Sequence, residues 1–179
     1  ATKFAVRALT VLTHQLRADD TVSIVTYAGS TEVVLEPTSA AKSGVILDAL
    51  AKLQSGGGTA MASGMELAYR LAVRQVRPHT TTRVIVLTDG DANIGTQSPQ
   101  GILDAVHGYV EEGVTLTTVG FGMGNYRGVA LEQLADKGNG QALYIGEERD
   151  LQTVFNKNLT GTLQVVAKDV KVQVTFDPE

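Results

Sequence analysis

The chain of 179 residues contains no cysteine and no tryptophan. Without thiols it can form no disulfide, hold no Cys-ligated zinc or iron–sulfur cluster and run no thiolate chemistry. Its compartment stays open, because a cysteine-free domain survives inside or outside the cytosol. Five Tyr and four Phe are the whole aromatic complement, which leaves few stacking platforms for a single-stranded nucleic acid. Positive charge is scarce as well. Fifteen Lys and Arg against 19 Asp and Glu give a net charge of −4, so nothing points to nucleic acid or anionic lipid. No apolar run reaches the length of a membrane span, and no signal peptide is visible. What the chain does have is 43% hydrophobic residues, enough at this length for one domain with a real core.

Apolar periodicity divides the chain into alternating elements. Phe4, Ala8, Val11, Leu12 and Leu16 share one helical face, which predicts a helix over 2–17. A strand over 22–27 and a shorter one over 31–35 form an antiparallel hairpin, ended by Pro37. Helices follow over 40–53 and 60–76, the second stopped by Pro78. A strand over 83–88 leads into a polar loop, and Pro99 opens a helix to 112 that Gly113 ends. A strand over 114–121, a helix over 127–137, a strand over 141–145 and a helix over 148–159 complete the series. This alternation predicts an α/β, Rossmann-like, doubly wound and mostly parallel sheet, with one antiparallel edge strand and helices on both faces. The end differs: Val170, Val172, Val174 and Phe176 alternate with polar residues, as in a half-exposed strand. The reading is a domain over 1–160 and the start of a further β element over 161–179. The chain opens inside an amphipathic pattern, so its natural N-terminus is expected to lie further upstream.

Two loops carry candidate chemistry. Val84-Ile85-Val86-Leu87-Thr88-Asp89-Gly90-Asp91 is a buried parallel strand that delivers a carboxylate at its C-terminal end. Ligands of open α/β sheets bind at that end. Some thirty residues upstream, Gly56-Gly57-Gly58-Thr59 leads into a helix. A hydroxyl from one loop and a carboxylate from the other could reach one hard cation. Each has a bland alternative. Asp89 reads equally as an Asp-Gly turn or a helix cap, Asp91 as a solvated charge, and Thr59 as the cap of the following helix after a plain glycine linker. The glycine loop is not a P-loop, since no Gly-Lys-Ser/Thr follows. Gly120-Phe121-Gly122-Met123-Gly124 lacks the third glycine of a dinucleotide fingerprint and comes late in the chain. His14, His79 and His107 fall in three separate elements, so they make no transition-metal site. No Gly-x-Ser-x-Gly elbow exists for a hydrolase triad.

Taken in order, Gly-Gly-Gly-Thr, Leu-Thr-Asp-Gly-Asp-Ala-Asn and Thr-Val-Gly-Phe-Gly-Met-Gly-Asn-Tyr resemble the bacterial von Willebrand factor type A (VWA) domains over residues 1–160. That resemblance implies a metal-ion-dependent adhesion site (MIDAS) at the C-terminal edge of the sheet. By motif position Thr59 and Asp89 match two of its ligands, with Gly58 and Asp91 in supporting positions. The implied ion is Mg²⁺, with Mn²⁺ or Ca²⁺ as substitutes, and no catalytic residue is implied. Hard oxygen donors suit such an ion. The family's third ligand loop, Asp-x-Ser-x-Ser, precedes its first helix and occurs nowhere in these 179 residues. Its first strand is therefore expected to lie outside the chain or to come from a strand-exchanged dimer, and the chain alone is expected to bind metal weakly or not at all.

The functional expectation is a non-enzymatic, metal-dependent binding, adhesion or assembly module of a larger bacterial protein. Its partner would be a protein that offers an acidic residue to the metal. No nucleic acid and no direct membrane insertion are expected, and an extracytoplasmic or membrane-attached setting is favoured. One rival is a metal-independent scaffold beside an AAA ATPase or a chelatase. The other is a metal-dependent phosphohydrolase, for which Asp91 is the only available base or nucleophile beside Asp89.

Overall fold

The computed structural model describes residues 2–27, 30–54, 61–89, 99–122, 128–147 and 149–155. The elements follow the predicted alternation. They run α1 (Thr2–Gln15), β1 (Thr21–Thr26), β2 (Glu32–Ser39), a short 3₁₀ turn, α2 (Ser43–Ala51), α3 (Met61–Val73) and β3 (Thr82–Thr88). After these come α4 (Pro99–Glu111), β4 (Val114–Phe121), α5 (Gly128–Lys137), β5 (Gln141–Ile145) and α6 (Asp150–Thr153). The element proposed for 161–179 lies outside the described residues.

Among the described residues the strands form two sheets. β3, β4 and β5 are parallel in that order, in the register Val86↔Thr118 and Val119↔Leu143. β1 and β2 form the expected antiparallel hairpin. Pro37 does not end β2, which runs on to Ser39. Val22 faces Thr38 while Ile24 faces Leu35, so three steps of β2 oppose two of β1. The extra residue is a bulge beside Pro37, and a strand with no second neighbour among the described residues tolerates a missing N–H at such a place.

The parallel sheet is covered on both faces, as its uninterrupted apolar runs require. On one face Val84, Val86, Val114 and Leu116 pack against Met61, Met65 and Tyr69 of α3, Val106 of α4 and Leu134 of α5. On the other, Val119, Phe121, Leu143 and Ile145 meet Ala8 and Leu12 of α1, together with Leu151, Val154 and Phe155. Period-two alternation assigns neighbours in one strand to opposite clusters. Each fully buried side chain of this size contributes about 1.5–3 kcal/mol by leaving water. The two buried threonines of central β4 are satisfied: Thr118 Oγ1 donates to the Leu131 carbonyl at 3.1 Å, and Thr117 Oγ1 accepts from Arg83 at 3.0 Å.

A third cluster sits on the hairpin, where Ile24, Leu35, Ala40, Ile46, Ala49 and Leu50 gather with Val6 and Leu9 of α1 and with Leu16 just after it. Two helices therefore span both sheets. α1 sends Ala8 and Leu12 to the parallel-sheet cluster and Val6 to the hairpin cluster, with Leu9 packed against both. α3 packs on β1, β2 and β3 together.

Candidate functional site at the carboxyl edge of the sheet

β3 positions the principal candidate. Val84, Val86 and Thr88 are buried, and Asp89, one residue past the strand, is exposed. The last ladder pairs, Leu87↔Val119 and Thr88↔Gly120, hold the strand up to the residue before it. A rigid strand thus ends in a carboxylate at the surface, the placement expected from the apolar run. β4 ends at the same edge, where the Gly122 N–H donates to the Ile145 carbonyl at 3.0 Å. Gly122 has a φ of +59°, a conformation that side-chain-bearing residues rarely adopt.

Other elements reach this edge. The ring of Phe4, in the first turn of α1, meets Phe121 edge-on with centroids 5.0 Å apart. From the hairpin side, the Tyr27 hydroxyl donates to the Leu87 carbonyl at 2.9 Å. Burial raises the Tyr27 phenol above its ordinary pKa; a hydrogen bond with the Thr88 side chain lowers it, and the Asp89 charge raises it again. The phenol is therefore a protonated donor at neutral pH. Tyr27 was not among the residues singled out from the sequence. Its only sequence signal is a tyrosine at a strand end before Ala28-Gly29-Ser30, which is too common to point to a site.

Of the predicted site residues, Asp89 is described, while Gly58, Thr59 and Asp91 lie outside the described residues. Among the described residues no group of three or more His, Cys, Asp or Glu gathers as a metal site. Asp89 fits a hard divalent cation as one oxygen ligand, and a full Mg²⁺ shell needs further oxygen donors or water beside it. His14, His79 and His107 are likewise in no such cluster. No helix among the described residues is long and apolar enough to cross a membrane.

Parallel strands in a sheet covered by helices on both faces define the class of α/β, Rossmann-like domains. Within it, the model for the von Willebrand factor type A domain matches residues 2–157, and the chain belongs to that family. The protein YfbK of Escherichia coli (strain K12), described as uncharacterized, is 37% identical over 171 residues, covering 96% of this chain. The chain spans only 30% of that relative's length. Among solved structures, a von Willebrand factor type A protein from Catenulispora acidiphila superposes with a TM-score of 0.75 at 20% identity, over 90% of this chain and 38% of its own. Proximal thread matrix protein 1 of the mussel byssus, with a zinc-occupied MIDAS motif, gives 0.69 at 18% identity, over 87% of this chain and 41% of its own. At such identities these structures speak for the fold alone. Domains of this family generally mediate protein–protein interaction or assembly.

Proposed function

We propose that this chain is a non-enzymatic, metal-dependent protein-binding module, with Asp89 and Thr59 as metal ligands and Gly58 and Asp91 supporting them. The observation that carries the reading is Asp89 itself, an exposed carboxylate at the end of a buried strand. The start of α1 lies at the same edge, with Phe4 against Phe121. A ligand loop immediately before α1, where the family carries Asp-x-Ser-x-Ser, would emerge beside Asp89. Bound there, Mg²⁺ supplies an open coordination position that an acidic residue of a partner can fill. The chain's own residues do the rest. β3 and its ladder to β4 hold Asp89 in place, and the covered sheet keeps that edge rigid. The mussel protein's zinc at its MIDAS motif supports a divalent ion in this fold.

The test is a calorimetric titration of Mn²⁺ into this chain and into a version extended N-terminally through the preceding segment. Binding by the extended form that is weakened more than tenfold by Asp89→Ala supports the reading. Equal binding by both forms assigns the remaining ligands to residues within the 179. Failure of both to bind, with partner binding unaffected by EDTA, leaves the metal-independent scaffold.

A further inference from the structure

The face of the parallel sheet that carries α6 changes character along the strands. Toward the carboxyl edge its rows are apolar: Leu87, Val119 and Leu143, then Phe121 and Ile145. Toward the amino edge the same face turns polar. Register places Gln141 beside Thr117 and Thr115 beside Arg83, and side chains two apart in a strand share a face. Arg83 donates to Thr117 Oγ1 at 3.0 Å. Thr117 is fully buried, Arg83 and Gln141 are half-buried, and Thr115 Oγ1 is buried with no partner among the described residues. A buried hydroxyl calls for a hydrogen bond, so this floor needs a polar cover.

α6 leads there. β5 ends at the carboxyl edge, and Leu151, Val154 and Phe155 turn back over the apolar rows. A chain continuing that way runs toward the amino ends of the strands. One row is two strand residues, about 6.6 Å, which a helix covers in about four residues. Residues 156–160 are the ones that arrive. The sequence changes with the floor: after the apolar Val154-Phe155 it reads Asn156-Lys157-Asn158-Leu159-Thr160.

We infer that Arg83, Thr115, Thr117 and Gln141 form the seat of residues 156–160 of the same chain. The Arg83 guanidinium and the Thr115 hydroxyl donate to carbonyls that a helix leaves open at its last turn, and the Asn156 and Asn158 amides complete the polar layer. All four seat residues stand on β3, β4 and β5, whose ladders are continuous, so the seat involves neither the hairpin nor the space beside β1. It is also independent of the metal. Seated there, the chain leaves the module at the edge opposite Asp89, and the Asp89 edge stays clear for a partner.

The chain has no cysteine, so a disulfide can be placed freely. Thr115→Cys is combined in turn with Asn156→Cys, Asn158→Cys, Leu159→Cys and Thr160→Cys, and each pair is oxidised. A disulfide closes only where the Cα atoms come within about 7 Å. The expected result is a cross-link in at least one pair, and none with Gln133→Cys, which lies on α5 across the sheet. Alongside, Arg83→Met keeps the apolar stem and removes the guanidinium. It should speed amide exchange over 156–160 about tenfold, the scale of one charge-assisted hydrogen bond, with exchange over 141–145 unchanged. No cross-link from Thr115→Cys to any of the four positions overturns the seat. So does wild-type exchange at 156–160 as fast as in an unstructured peptide. A lower Tm in Arg83→Met with exchange at 156–160 unchanged would confine Arg83 to holding Thr117 and overturn its part in the seat. If Arg83→Met does not fold, the cross-links decide alone.

Discussion

The parallel sheet and the hairpin are built from similar residues, yet they are held in different ways. All but one residue of β4 are buried, because helices cover both faces. In β1 only Ile24 is buried, and in β2 only Leu35. The parallel register is unbroken over seven pairs between β3 and β4, whereas the hairpin shifts register twice. A strand covered on both faces has no room for a bulge or for a change of facing, since either would move apolar side chains out of both clusters. An edge hairpin can absorb extra residues and a proline. The candidate ligand Asp89 thus directly follows a strand held in an unbroken ladder, and Tyr27 reaches that strand from the hairpin.

The sharpest way to break this contrast is at the turn under β4. A Cβ on Gly140 would lie 1.6 Å from the Leu116 carbonyl oxygen, with the Leu116 carbonyl carbon at 2.6 Å. That is backbone against backbone, with no side chain free to yield. Gly140→Ala should cost about 4 kcal/mol or more, or abolish folding, as read from urea unfolding. The next test sets one substitution against itself. Leu116 is fully buried in the central strand, and Leu35 is 8% exposed on the hairpin. Leu116→Ala should cost about 4 kcal/mol and Leu35→Ala about 2.5 kcal/mol, because a cavity beside an edge strand collapses more easily. Equal losses would mean that the hairpin is as rigid as the sheet.

A smaller effect is expected between α3 and α4. Tyr69 and Tyr109 stack with centroids 4.4 Å apart and rings within 4° of parallel. Tyr109→Leu keeps much of the buried area and should lose about 1 kcal/mol, the worth of the ring pair, in the same unfolding assay. The smallest change is at Val45, which is 50% exposed on α2. Val45→Thr should stay within about 0.5 kcal/mol of wild type, and a larger loss would reveal a partner on that face.

Much of the architecture was legible because the parallel strands are uninterrupted apolar runs bounded by strong stops. β4 and β5 fall where the runs begin and end, and α4 opens at Pro99 as its placement predicted. The hairpin was less legible. Pro37 reads as a terminator in sequence, but the bulge that accommodates it depends on β2 having one neighbour among the described residues. Asp89 was legible for the same reason as β3, since it follows directly on the buried run. Tyr27 was not, because it meets a carbonyl sixty residues away and lies where Gly64 carries no side chain.

The linear sequence by itself determined the class of fold, the order of the elements and the carboxylate at the end of β3. These follow from local periodicity and from residues that stop helices, which act over a few positions. The tertiary structure alone decided that α1 and α3 each span both sheets, that Leu116 closes over Gly138 and Gly140, and that Tyr27 reaches the end of β3. Such contacts arise when surfaces distant in the chain are packed to the density of a crystal, and no local pattern encodes which of them will meet.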